Sequence, residues 1–173
     1  MTTDDMPAVD RERADLLETL AVHRGFLRHT VRDLTDEQAG ERTTASELCL
    51  GGLIKHVTRM ESNWAGFIGR GPDALSSGAD GFSAHMASFH MEEGESLAGL
   101  LERYAQVAQL TDDLVVSLGS LDASQPLPAA PWFEPGARWS ARRTLLHVIA
   151  ETAQHAGHAD IIRESLDGAK TMG

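Results

Sequence analysis

The pattern of apolar and polar positions divides the chain into four helical stretches. Leu16, Leu17, Leu20, Phe26, Leu27, Val31 and Leu34 recur at helical spacing, which predicts a first helix from Asp10, a capping residue, to about Leu34. A second runs from about Leu48 to Ile68, with Cys49, Leu53, His56, Met60, Asn63, Trp64 and Phe67 on its core face. Gly51 and Gly52 open it where strong helix formers are expected, which suits close approach by a neighbouring helix or a ligand. A third, from about Glu95 to Leu118, carries Leu97, Leu100, Leu101, Tyr104, Val107, Ala108, Leu114 and Val115. The fourth begins at Ser140, a good N-cap, runs to about Leu166 and meets a stop at Gly168.

The segments between are of different kinds. Residues 1–9 read as an N-terminal tail, and the piece from Leu34 to Gly52 mixes charge, Thr and Gly as a connector does. Residues 69–93 are rich in Gly and Ser without sustained periodicity, and loops of that length are uncommon unless they serve a site. Between Ser120 and Trp139, four prolines exclude long regular structure, so Trp132, Phe133 and Trp139 either anchor the connector to something apolar or line a pocket. With no convincing alternating strand pattern, the expected fold is all-α, a four-helix bundle forming a single domain over residues 1–173.

On the last helix the inward stripe is unusual. It places His147, Glu151, His155 and His158 with Thr144, Val148 and Ile162, while Arg142, Asp160, Arg163 and Glu164 fall elsewhere on the wheel. A carboxylate among apolar side chains needs a cationic partner, because desolvating it alone costs several kcal/mol. Glu151 and His155, spaced i,i+4, can supply two ligands to one ion, and His56 is the one inward histidine of its helix. Two imidazoles and one carboxylate suit Zn²⁺, and also Ni²⁺, Fe²⁺ or Mn²⁺, with positions left open for chemistry. His147 and His158 extend the stripe by a turn on either side, as extra ligands, orienters of Glu151 or proton carriers. On spacing alone the rival reading, core histidines hydrogen-bonded to Glu151, stays open.

The remaining candidates are weaker. His23 and His29 sit on different faces of the first helix, and Cys49, two turns before His56, reads as a small core residue. His85 and His90 are candidates for substrate contact within the long connector. Arg59, Arg142 and Arg143 are placed to meet polar groups of a ligand or to solubilise the surface. The sequence contains no H-E-x-x-H, no Glu-x-x-His, no Cys-x-x-Cys, no phosphate loop and no G-x-S-x-G elbow.

Composition narrows the partners. A formal net charge of -11 disfavours nucleic acid and anionic membrane surfaces as main partners. One cysteine rules out an intrachain disulfide framework, and no secretory signal or membrane-length apolar run is visible, so a cytoplasmic protein is expected.

The blocks LGGLIKHVTRMESNW and RWSARRTLLHVIAETAQHAGHADIIRESLDG together resemble the DinB-like superfamily of metal enzymes, most closely its actinobacterial branch of mini-circle-type proteins. The resemblance spans about residues 10–168 and implies an up-down-down-up bundle with one long crossover. It implies metal ligation by His56, Glu151 and His155, with His158 outside the ligand set. Characterised relatives include S-transferases using mycothiol or bacillithiol and a mycothiol-dependent maleylpyruvate isomerase. The isomerase carries an additional C-terminal domain that this chain has no room for, which turns the expectation towards the transferases. The resemblance thus implies a metal-dependent transferase that activates a mycothiol-type thiol for attack on a small electrophile. Hydrolysis by metal-activated water and a non-catalytic metal-binding helical module are the alternatives, and bundle faces of this kind allow a homodimer.

Overall fold

In the computed structural model, residues 10–75, 83 and 85–171 are described, so the expected tail at residues 1–9 and part of the long connector lie outside the described residues. Helix α1 (Arg11–Thr30) starts where Asp10 accepts a 2.9 Å hydrogen bond from the Arg13 amide. It ends short of Leu34, because Thr30 turns its hydroxyl back to the Leu27 carbonyl and Asp33 adopts a positive φ of 59°. Leu20, Leu27 and Val31 are buried as the periodicity requires, whereas Phe26 stays partly exposed.

Within the first connector, helix α2 (Asp36–Gly40) is held by a reciprocal capping box between Thr35 and Gln38. Helix α3 (Leu50–Arg70) is the central helix, with Leu50, Gly51, Gly52, Leu53 and Ile54 all buried in its first turns. Cys49 caps it, its Sγ accepting from the Gly52 amide at 3.4 Å. Helix α4 (Leu97–Ser117) is capped by Ser96. The proline-rich connector then forms two short antiparallel strands, β1 (Ser124–Pro126) and β2 (Arg138–Ser140), with Gln125 opposite Trp139. Helix α5 (Ala141–Asp167) begins at Ser140, which accepts from the Arg143 amide, and stops at Gly168 in the left-handed conformation, φ 79°.

Cross-helix contacts define the directions. Arg142, at the start of α5, pairs with Glu12 at the start of α1, and Arg163 near its end donates to the carbonyls of Thr30 and Arg32, so α1 and α5 run parallel. Thr43, just ahead of α3, bonds the Ile162 carbonyl, while Ile68 at the far end packs with Ala141 and Leu145, so α3 opposes α5. Lys55 meets Glu95 at 2.9 Å near the beginning of α4, and Ile68 clusters with Leu114 near its end, so α3 and α4 run parallel. The result is the up-down-down-up bundle, whose long crossover joins α3 to α4.

One polar element crosses this core. Glu61 of α3 is fully buried and forms a two-pronged ion pair with Arg24 of α1, which also reaches Asp112 of α4 at 2.9 Å. Burial alone would discourage charge on Arg24, but the bonds to Glu61 and Asp112 outweigh it and raise its pKa. The Tyr104 hydroxyl is buried with no hydrogen-bond partner among the described residues, and desolvation drives its pKa strongly upward. No described helix is long and apolar enough to cross a membrane.

Candidate metal centre

Antiparallel packing of α3 on α5 brings His56 against His155, ring centroids 4.7 Å apart. Glu151, one turn earlier on α5, places Oε2 3.7 Å from His155 Nε2, an electrostatic contact longer than an ordinary hydrogen bond. One ligand atom from each of His56, Glu151 and His155 lies within 4.8 Å of the other two. Two ligands bound to one zinc ion at about 2.1 Å sit roughly 3.4 Å apart. The Glu151 and His155 atoms, 3.7 Å apart, are near that spacing already, and the widest pair of the set must draw in by up to about 1.4 Å to close around an ion. The donor set of two imidazoles and a carboxylate fits a divalent metal.

Electrostatics favour the ligating forms. Burial, helped by the neighbouring His155 and His85 rings, pushes the His56 pKa down to about 3, so the imidazole is neutral at pH 7 with a lone pair to give. Contact with His155 holds the Glu151 carboxyl below its ordinary value against the opposing effect of burial, so the carboxylate is ionised. His56 and His155 are 5% and 9% exposed, while Glu151 is only half-buried, which leaves one side of the cluster open.

The other sequence candidates separate. His158 lies beside the cluster, its Nδ1 3.4 Å from His155 Nδ1, on the ring edge opposite Glu151. His147 shares the stripe but packs edge-on against Trp64 and Trp139, whose indoles stack at 4.9 Å; burial lowers its pKa. Arg143 covers the Trp139 ring at 4.2 Å and Phe133 meets its edge, so these aromatics tie the proline-rich connector to the bundle. Trp132, beside Phe133, remains 77% exposed. His85 reaches the cluster from the crossover, its exposed ring 5.1 Å from His56. His90 does not; its Nδ1 faces Arg42 at 3.4 Å on the surface. Arg142 is engaged by Glu12 and Asp122 far from the cluster.

Two contacts were not singled out in the sequence. Ser88 Oγ lies 3.0 Å from His56 Nδ1, and the Phe89 ring stacks on His56 at 4.0 Å with an interplanar angle of 19°. The segment reaches them because α3 opens with glycine: a Cβ on Gly52 would stand 1.9 Å from the Phe89 carbonyl oxygen. The glycine pair was the only legible signal, since it announces close approach without saying by what.

This all-α bundle, with a His–Glu–His cluster between its second and last long helices, has the DinB-like fold. A conserved protein of Enterococcus faecalis with a solved crystal structure shares the fold at a TM-score of 0.63 and 15% identity, over 90% of this chain and 97% of that one. Residues 15–168 match the family model of the mycothiol-S-transferases, and the chain belongs to that family, a family of thiol transferases. No curated protein matches it.

Proposed function

We propose that residues 1–173 form a single domain that acts as a metal-dependent S-transferase, joining a low-molecular-weight thiol of the mycothiol kind to a small electrophile. The observation that carries this reading is the convergence of His56, Glu151 and His155, with ligand atoms within 4.8 Å, in a chain of a thiol-transferase family. Zinc is the ion the donor set suits best, ahead of nickel, iron or manganese. When bound, such an ion supplies Lewis acidity that lowers the pKa of a thiol brought to it.

The chain's own residues do the rest. His56 contributes a neutral imidazole, and Glu151 supplies one negative charge, leaving the centre net positive and receptive to an anion. The half-exposed side at Glu151 admits the reactants, and the Phe89 ring closes one face of His56. In the reaction the S–H bond breaks and its proton passes to solvent, a sulfur–carbon bond forms, and the electrophile either gives up its leaving group or, in an addition, takes up a proton from solvent. A free thiol of pKa about 8.5 is a few per cent ionised at pH 7, so complete ionisation gains roughly tenfold to thirtyfold. Orientation of the two reactants must supply most of the remainder.

The test is elemental analysis of protein purified without added metal, followed by turnover of a bimane-type electrophile with and without mycothiol. The expected result is near one equivalent of divalent metal and thiol-dependent turnover, both lost in His56→Ala and His155→Ala. Turnover of a substrate without thiol would instead indicate hydrolysis. Unchanged metal content in both variants would overturn the assignment of the site.

A further inference from the structure

Ser88 sits on the crossover between α3 and α4, 32 residues beyond His56 in sequence, and is 2% exposed. Among the described residues its hydroxyl has two hydrogen-bonding neighbours. Oγ lies 2.6 Å from the His85 carbonyl oxygen and 3.0 Å from His56 Nδ1. A serine hydroxyl carries one proton, and a carbonyl oxygen only accepts, so the short bond to His85 commits that proton. What Ser88 presents to His56 is therefore a lone pair, and a lone pair at 3.0 Å requires a hydrogen on Nδ1.

We infer that Ser88 is a positioning residue, which holds His56 in the Nδ1–H tautomer and so leaves Nε2 as the unprotonated nitrogen, with its lone pair free to ligate. This deepens the metal-centre reading and rests on it for its consequence, though the tautomer itself does not depend on a metal. The surrounding contacts serve the same end. The stacked Phe89 ring limits rotation of the imidazole plane, and the bare backbone of Gly52 lets the Phe89 carbonyl lie against α3, which sets Ser88 at hydrogen-bonding height. A ligating histidine whose second nitrogen is fixed in this way loses little freedom on binding, and removing such a partner typically weakens metal binding 10- to 100-fold.

The experiment is long-range proton–nitrogen NMR of the imidazoles in the metal-free protein at pH 7, with His56 assigned by comparison with His56→Gln. Zinc affinity is measured in parallel by competition with a chromophoric chelator. Wild type is expected to show His56 as the Nδ1–H form. Ser88→Ala should show a tautomer mixture and a 10- to 100-fold weaker zinc affinity, and Ser88→Thr, which keeps the hydroxyl, should restore both. A wild-type His56 in the Nε2–H form overturns the inference without reference to any variant. So does a Ser88→Ala protein matching wild type in tautomer and affinity. If wild type binds no zinc, the metal reading fails, while the tautomer comparison still decides the role of Ser88.

Discussion

Replacing Gly52 by alanine sets two effects of opposite sign against each other. In a helix interior alanine is favoured over glycine by about 1 kcal/mol, so propensity alone makes the substitution stabilising. The surroundings say otherwise: the new Cβ would lie 1.9 Å from the Phe89 oxygen, 2.4 Å from its carbonyl carbon and 2.9 Å from the His90 nitrogen. These are backbone atoms, which cannot swing aside as a side-chain end can. With non-bonded carbon contacts settling near 3.5 Å, the segment must retreat by about 1.5 Å. Overpacking of this kind costs about 1–3 kcal/mol. The Ser88–His56 hydrogen bond, at 3.0 Å, breaks with the retreat, leaving a buried donor unpaired for a further ~1–3 kcal/mol. The net is a loss of at least about 1 kcal/mol, or roughly 2–4 °C in melting temperature for a chain of this size. Gly157 of α5 and Gly25 of α1 are the controls, since among the described residues nothing lies within 4 Å of a Cβ at either. Alanine there should raise the melting temperature by about the same 2–4 °C. Thermal and urea unfolding followed by helical circular dichroism reads all three. A Gly52→Ala protein as stable as Gly157→Ala would refute the argument that the crossover is seated on α3 through that glycine.

Glu61→Ala leaves the buried Arg24 with only the part-exposed Asp112 as counter-ion, so it should cost up to about 3–5 kcal/mol in urea unfolding. Asp112→Ala, whose carboxylate is 37% exposed, should cost no more than about 1 kcal/mol; equal losses would contradict the expectation that the fully buried partner of Arg24 matters more than the part-exposed one. In chelator-treated protein, His56 has its pKa lowered to about 3 by burial, against an ordinary 6.5, so the unfolded chain takes up a proton there that the folded one refuses. Stability from this group is complete above pH 6.5 and falls as pH drops towards 3, by about 1.4 kcal/mol per unit in the middle of that window. His56→Gln should flatten the slope between pH 5 and 6 by about one proton, and an unchanged slope would show that the folded imidazole titrates normally.

Much of the molecule was legible because its signals are local. Apolar spacing located α1, α3, α4 and α5, and Asp10, Ser140 and Gly168 marked three of their ends. His56 could be placed on the inner face of its helix, and Glu151 and His155 on that of theirs, because 3.6 residues per turn tells which side chains share a direction. The short α2 was signalled only by Thr35 and Gln38, three apart, too brief a pattern to stand out from its polar connector.

The chain order of amino acids determined the helical segments, their caps and the faces that carry the histidines, since each depends on neighbours within a turn or two. The tertiary structure decided which faces meet. A helical wheel puts His147 and Glu151 in one direction, yet packing gives His147 to Trp64 and Trp139. Likewise Ser88 belongs to a stretch without periodicity and gains its meaning only from lying 3.0 Å from His56. Helix periodicity is written by local hydrogen bonding, whereas these partnerships depend on how the crossover and the proline-rich connector close, and closure is settled by the packing of the whole chain.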